Sequence, residues 1–570
     1  MRVERGASQV LFGMLPNQTV DLERGVWRVV RWEDPVPLPL DQTAVREALL
    51  WAISPWTLHH NDGGLEEELR SGAVVEVVGV NTERGVVVEP FPRQWRCRAC
   101  GRLFTERVSR CPCGAASIAQ MQHVAFHTCG ALDEPRLPKC PQHGAVAVRL
   151  PGTARAQELY FFCPDCSRPP SKGFPHQRCR CGDTSGMKRN VHRAGEVFSP
   201  HYTVLVNPPD PAAAERLRAG GGAARALEWV LAGLPPSSGG GARQTVEGLV
   251  DALVRQGLSP ETARELAEEA HRRGEVDPGP SGGGIDLPAA VRDRAQEEAL
   301  SLMLALEQGR VRIDEMVEKT TPPLRTLYET AYRDAMQQAG LSNVELLTNF
   351  PVATVAFGFT RGGYEPTETT LRAFRERGRL RAYGMLTKTE AILFQLDPVR
   401  VLRWLRRRGF GLPEARDPRE ARLSILRAIE IPSPTDRDPH PVGAAASTLL
   451  HSYAHRLIRL LAVTAGVERD GLAEYLVPHH LSVIVYASGR GQFVLGALQA
   501  LFETGLHRLL DTVVHGESRC PLDPGCRAGG GACMACLHLG EPSCRWFNRF
   551  LDRDVLFGRQ GFLAQDDERS

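Results

Sequence analysis

The chain of 570 residues has no run of about 18 apolar residues, so no stretch is long enough to cross a bilayer as a helix. Its start, MRVERGASQVLFGM, lacks the charged, then apolar, then small-residue order of a secretory signal, and a soluble cytoplasmic protein is expected. No G-x-x-x-x-G-K-[ST] occurs anywhere, so there is no P-loop to cradle a triphosphate and no ATPase activity is expected. A charge excess of one sign is also missing. The chain carries 69 Lys and Arg against 67 Asp and Glu, a net of +2, which excludes a basic nucleic-acid coat or an acidic tail as the global description and confines any charged binding face to a local patch. Cysteine is absent from residues 182–519, although the chain has 15. Ten fall between Cys97 and Cys181 and five between Cys520 and Cys544.

In a reducing compartment, cysteines clustered at one- and two-residue spacing hold metal rather than disulfides. Cys97-x2-Cys100 followed by Cys111-x-Cys113 places two thiolates in each of two turns, ready to converge on a tetrahedral ion. Cys163-x2-Cys166 and Cys179-x-Cys181 repeat the arrangement, and the spacing predicts one structural zinc for each set of four. Between them, His127, Cys129, Cys140 and His143 could supply a further site or be ordinary buried thiols with surface histidines. The C-terminal group, Cys520, Cys526, Cys533, Cys536 and Cys544, offers five thiols to a four-coordinate ion. Cys533 and Cys536 form the knuckle, and spacing does not choose between Cys520 and Cys526. Three zinc ions are therefore expected, with a fourth conceivable. Sets with all four positions filled hold a fold and leave no open catalytic position.

Length alone predicts about four domains. Texture suggests an α+β multidomain chain: a β-rich N-terminal domain (1–90, with strands near Trp27–Trp32, Val74–Val80 and Val86–Val88), a tandem zinc-ribbon region (91–205), flexible linkers and helices (206–345), a mixed, arginine-rich α/β region (346–440) and an α/β C-terminal zinc-binding domain (441–570). Gly-rich runs near 220, 239, 282 and 529 read as linkers, Ser259 reads as a helix N-cap, and WFNRFLDRDVLFG reads as a helix.

His451-x3-His455 puts two imidazoles on one helix face, as in a zinc peptidase, but residue 452 is Ser where a general-base Glu is needed. Histidines packed at a domain interface are the plainer reading. A metal-dependent hydrolase using His451, His455 and Glu474 is the rival. The loop Ser488-Gly-Arg-Gly-Gln before a helix has the look of an anion site, and equally of a tight turn. Arginine is dense at Arg372, Arg375, Arg377, Arg379 and Arg381 and again at Arg400, Arg403, Arg406, Arg407 and Arg408. Both stretches lie in one region of the sequence. Of these, Arg375, Arg379, Arg381, Arg403, Arg406, Arg407 and Arg408 are candidate phosphate contacts, with Trp404 as a stacking partner.

At CMACLHLGEPSCRWFNRFLDRDVLFG, the order Cys-x2-Cys-Leu, acidic-Pro-Ser-Cys, Asn-Arg and Leu-Asp-Arg resembles the MrfA-like zinc-binding domain, a C-terminal module often fused to superfamily 2 helicases. Phe357-Gly-Phe-Thr-Arg361, Thr389-Glu390-Ala391-Ile392-Leu393-Phe394, Leu450-His451-Ser-Tyr-Ala-His455 and Val483-Ile-Val-Tyr486 resemble further elements of that family in the same order, so the likeness runs from about 350 to 560. No helicase motor precedes the domain here. With an N-terminal Arg5, Ser8, Gln9 pattern and zinc ribbons, the chain is similar to the DrmB family of the bacterial DISARM anti-phage system. The segment His127–His143 and the loop at Ser488 match that family loosely.

That resemblance implies a non-motor subunit that pairs with a separate superfamily 2 helicase of the DrmA type and helps it engage foreign DNA. It implies no membrane partner, and no small-molecule substrate is evident. A DNA-binding regulator using its zinc ribbons alone is a further alternative.

Overall fold

A computed structural model describes residues 1–570 apart from 24, 151, 153–154, 167–169, 235–244, 274–275, 277–284, 434–435, 489–495, 541–542, 545 and 565–570. The fold is mixed α and β, as the sequence texture predicts. It forms two compact units, each assembled from two stretches of chain: Met1–Pro208 with Ala353–Leu386, and Pro209–Val352 with Thr387–Ser570. The first junction falls between Pro208 and Pro209. The other two junctions fall inside the two longest strands, Leu341–Thr360 and Arg379–Leu396, each of which contributes to both units.

In the first unit, strands Arg2–Val3, Val86–Pro90, Gly25–Trp32 and Thr19–Leu22 form an antiparallel sheet in that order. Residues 1–90 are not wholly β. Helix Gln42–Thr57 starts at Asp41, whose carboxylate accepts from the Ala44 N–H at 2.8 Å, and it buries Val45, Leu49 and Ile53 at a spacing of four. These side chains pack with Val355, Phe357, Leu371 and Leu380, so residues 1–90 share a core with the 353–386 stretch. Arg361 is buried there too. Its guanidinium lies 5.5 and 5.1 Å from the ring centroids of Phe198 and Phe359, which stack on each other at 4.9 Å, and it donates to the carbonyls of Gly130, Asn17 and Val197.

In the second unit, strand Ser482–Ala487 pairs antiparallel with the 391–395 part of Arg379–Leu396 on one side and with Leu472–Val477 on the other. Helix Pro441–Ala465 packs on this sheet and buries Leu450, Tyr453, Ala454, Leu457, Ile458 and Leu461, a stripe of three- and four-residue spacing. The helical pair Val246–Arg255 and Pro260–Arg272 forms as expected, and the Ser259 hydroxyl accepts from the Thr262 N–H at 3.2 Å. Glu390 lies buried on its strand and accepts from the backbone N–H groups of Gly496, Leu498 and Gln499, capping helix Ala497–Thr504.

Several local expectations change. Gly220–Gly222 forms a tight joint between helices Pro211–Ala219 and Gly222–Leu231 instead of a linker. The run at 529 lies inside the last cysteine group, with the Gly531 N–H bonded to the Cys526 carbonyl at 2.9 Å. The runs near 239 and 282, and residues 489–495 of the loop after Ser488, lie outside the described residues. WFNRFLDRDVLFG is not a helix. Phe547, Asn548 and Phe550 all have positive φ, the Asn548 amide bonds both backbone groups of Leu539, and only Asp554–Phe557 is helical.

Candidate metal centres

Five groups of four side chains bring their donor atoms within 4.8 Å of one another. The first is the expected set, Cys97, Cys100, Cys111 and Cys113. Its sulfurs lie 3.7 Å apart for Cys97 and Cys113 and 3.5 Å for Cys100 and Cys111. A tetrahedral ion with Zn–S near 2.3 Å would set its sulfurs about 3.8 Å apart, so the geometry fits zinc. Burial, with the neighbouring thiols adding to it, pushes the Cys111 thiol up to about 12, while knuckle amides, chiefly that of Cys100, bring Cys97 down to about 7. Four such sulfurs become thiolates together only around a cation.

The other thiols between 127 and 181 group differently from the spacing-based assignment. Cys163 and Cys166 join Cys140 and His143, and Cys179 and Cys181 join His127 and Cys129. The cause is strand pairing. The hairpin Ala147–Arg149 with Tyr160–Phe162 sets Ala147 opposite Phe162, which brings the knuckle before the first strand against the one after the second. Around it, His123–Phe126 pairs with Lys188–Val191 and carries His127 and Cys129 to the partner knuckle at Cys179 and Cys181. The inner group is thus nested inside the outer one.

Both nested groups have the donor set of a zinc site built from three cysteines and one histidine. His143 Nδ1 lies 3.6 Å from the Cys140 sulfur and 3.7 Å from that of Cys163, and His127 Nδ1 lies 3.6 Å from Cys181. The opposite ring nitrogen of His127 is 3.0 Å from the Ser185 hydroxyl, which fixes the ring orientation. In five of the six half-sites the residue after the second ligand is glycine with positive φ: Gly101, Gly114, Gly130, Gly144 and Gly182. At Gly101 a Cβ would fall 2.4 Å from the Val148 carbonyl oxygen, so the turn needs glycine for space as well as for φ. Regular knuckles were legible in the sequence, and this glycine was the overlooked signal that His127-x-Cys129 and Cys140-x2-His143 belong with them.

The C-terminal group uses both Cys520 and Cys526 with Cys533 and Cys536. Sulfur separations are 3.5 Å for Cys520 and Cys533, 3.6 Å for Cys526 and Cys536, and 3.7 Å within the knuckle. Arg459 donates to the carbonyls of Met534, Ala535 and His538, tying the knuckle to helix Pro441–Ala465.

Cys544 belongs elsewhere. It joins His451, His455 and Glu474, all four buried, with the two histidines at 0 % exposure. His451 Nε2 lies 3.0 Å from Glu474 Oε1 and 3.3 Å from the Cys544 sulfur, and His455 Nε2 lies 3.5 Å from Glu474 Oε2. Burial alone would lower His451, but the Glu474 carboxylate and Cys544 outweigh it and raise it to about 10. The same imidazoles overcome burial and hold Glu474 below the ordinary carboxylate range. The two histidines therefore lie inside the unit, among charged and polar ligands, and do not line an interface. Four protein donors with no exposure leave no position for a substrate.

The arginine-dense stretches fall in different units. Arg375, Arg377 and Arg379 sit at the exposed tip of a hairpin between Arg375–Glu376 and Arg379–Leu396, where Arg375 pairs with Glu68. Arg381 pairs with Glu76 at 2.8 Å. On helix Pro398–Arg407, the apolar face of Val401, Leu402, Trp404 and Leu405 is buried while Arg403, Arg406, Arg407 and Arg408 are exposed. Trp404 is not available for stacking on a base: it is fully buried, its indole N–H donates to the Gln560 carbonyl at 2.9 Å, and Arg408 covers its ring. Arg406 pairs with Glu414 at 3.2 Å. Among the described residues, Arg377, Arg379 and Arg403 have no carboxylate partner.

No helix among the described residues is long and apolar enough to cross a membrane. Residues 6–199, which hold three strands of the first sheet and the three N-terminal centres, match the family model of a domain of unknown function, DUF8724. The chain is also 28% identical over 184 residues to the DISARM protein DrmB of Bacillus paralicheniformis, a match covering 29% of this chain and 31% of that protein. The chain thus spans, in that match, about a third of the length of its curated relative, and over that portion it is similar to a DISARM protein DrmB.

Proposed function

We propose that the chain is a zinc-bound, non-motor accessory subunit of a DISARM-type anti-phage system, which pairs with a superfamily 2 helicase and adds DNA contacts. The observation that carries this reading is the similarity to a DISARM protein DrmB, joined to four centres, two of four cysteines and two of three cysteines with a histidine, in which every position is filled. Closed thiolate centres serve rigidity, and the absence of a G-x-x-x-x-G-K-[ST] in the sequence leaves nucleotide hydrolysis to a partner. The arginines of the hairpin tip, Arg375, Arg377 and Arg379, and of the exposed helix face, Arg403, Arg406 and Arg407, are the phosphate contacts in this reading.

The test is co-expression with a superfamily 2 helicase of the DrmA type. A stable complex is expected, and a free chain that ignores the helicase overturns the pairing. For the DNA contacts, the logarithm of duplex affinity should fall with the logarithm of salt at a slope of about −0.9 per neutralised phosphate, reduced by roughly two in Arg377→Ala/Arg379→Ala. A salt-independent affinity removes DNA from the function.

A further inference from the structure

We propose that His451, His455, Glu474 and Cys544 hold a fifth zinc ion, in a closed site that ties helix Pro441–Ala465 and strand Leu472–Val477 to the C-terminal loop. The proposal does not depend on the DISARM reading. Each histidine has its outer nitrogen against a backbone carbonyl: His451 Nδ1 lies 2.7 Å from the Arg549 oxygen and His455 Nδ1 lies 2.8 Å from the Leu537 oxygen. A carbonyl only accepts, so each ring carries a proton on Nδ1 and turns Nε2 inward. The two rings lie one helical turn apart, which puts both on one face.

Inside, acceptors face acceptors. His455 Nε2 and Glu474 Oε2 have no hydrogen-bond partner although both are buried, and they lie 3.5 Å from each other. An enclosure of two imidazole nitrogens, a carboxylate and a thiol needs positive charge at its centre. Two additional protons would supply it only by making imidazolium ions of two rings whose centroids are 4.3 Å apart. One divalent ion satisfies all four donors together. With Zn–N near 2.0–2.1 Å and Zn–S near 2.3 Å, a tetrahedral ion sets nitrogen and sulfur about 3.5 Å apart, and His451 Nε2 lies 3.3 Å from Cys544 Sγ.

The ligands are held in place from outside. The Glu474 N–H donates to the Ser543 carbonyl at 3.1 Å, which docks the Cys544 loop on the strand, and the Asn548 N–H points at the Cys544 sulfur at 3.4 Å. Ser452, where a peptidase would carry its general base, instead accepts from the Asp552 N–H at 2.9 Å. The site is structural: the fourth position that a hydrolase keeps for water is taken by Cys544.

The experiment is zinc content by mass spectrometry, with zinc-edge X-ray absorption, on the full chain purified without added metal. Five zinc ions per chain are expected, with an average near 3.0 sulfur ligands per ion, against about 3.5 if only the two four-cysteine centres and the two centres of three cysteines and a histidine are filled. Cys544→Ser should lose one equivalent and Cys526→Ser/Cys544→Ser two. Unchanged zinc in folded Cys544→Ser overturns the proposal, and should that variant not fold, an average near 3.5 in the unmodified chain does so. Fewer than four ions, with Cys544→Ser still losing one, would instead count against the other four centres and leave this one supported.

Discussion

Arg553 grips Asp523, which lies between Cys520 and Cys526 of the last four-cysteine group, with one terminal nitrogen that donates to the two carboxylate oxygens at 2.9 and 2.7 Å. The same carboxylate accepts from the Cys520 N–H at 3.2 Å, so one aspartate serves both the arginine and the first ligand of the centre. Arg553 is buried, and although burial opposes its charge, the Asp523 carboxylate holds its pKa above the ordinary arginine range.

Asp523→Asn should therefore leave a buried guanidinium without its counter-charge and loosen the Cys520 turn. A loss of unfolding free energy is expected, because the buried Arg553 guanidinium loses its counter-charge. Zinc release to a chromogenic chelator should also speed up. Unchanged melting and unchanged release would show that the pair does not support the centre.

The nested pairing of the 127–181 ligands has a direct stoichiometric test. Cys129→Ser/Cys179→Ser removes ligands of one centre and should lose one zinc, whereas Cys163→Ser/Cys179→Ser removes ligands of two centres and should lose two. Sequential pairing, with Cys163 and Cys179 on the same ion, predicts two and one. Metal analysis of the two double variants decides between the orders.

His201 is buried with its Nε2 at 3.0 Å from the Thr360 hydroxyl, and burial brings its pKa down to about 4. The folded value lies below the ordinary histidine value of about 6.5, so the unfolded chain takes up the proton first. Stability is complete above that value and is lost as pH falls from there toward 4. From pH 7 to pH 5 the loss is about 2 kcal/mol for this residue. His201→Gln should lack this part of the acid sensitivity, so the gap between wild type and variant in urea unfolding should shift by that amount. An unchanged gap refutes it.

Arg361→Lys should cost about 3 kcal/mol despite keeping the charge. A single ammonium cannot serve the diverging carbonyls of Asn17, Gly130 and Val197, nor lie against the Phe198 and Phe359 rings as a planar guanidinium does. Chemical denaturation of the full chain checks this, and a cost under about 1 kcal/mol would mean that the carbonyls find other donors.

Pairs of ligands were legible in the chain because two thiols in one turn are a local feature. Which pair meets which was not, since that depends on hairpin register, and Ala147 opposite Phe162 is a tertiary fact. Cys544 illustrates the limit: its sequence neighbours are Cys533 and Cys536, yet strand Leu472–Val477 brings it to Glu474 and His451. The helix-face argument did place His451 with His455. Arg361 and Glu390, both in motifs that resemble the MrfA-like domain, have structural tasks as a carbonyl anchor and a helix cap. The two arginine-dense stretches are close in sequence but belong to different units, which sequence proximity could not show.

Nesting would also make ions at the inner and outer centres thermodynamically unequal to a pair of separate ones. Cys129 and Cys179, on the outer ion, are 50 residues apart, and Cys140 and Cys166, on the inner ion, are 26 apart. Once the inner loop is closed, the outer ion has only about half as much free chain left to restrain. Each halving of loop length saves about 0.6 kcal/mol of closure entropy, or roughly threefold in affinity. If both centres take an ion, the first captured by the unfolded segment should favour the second, and the two should fill cooperatively.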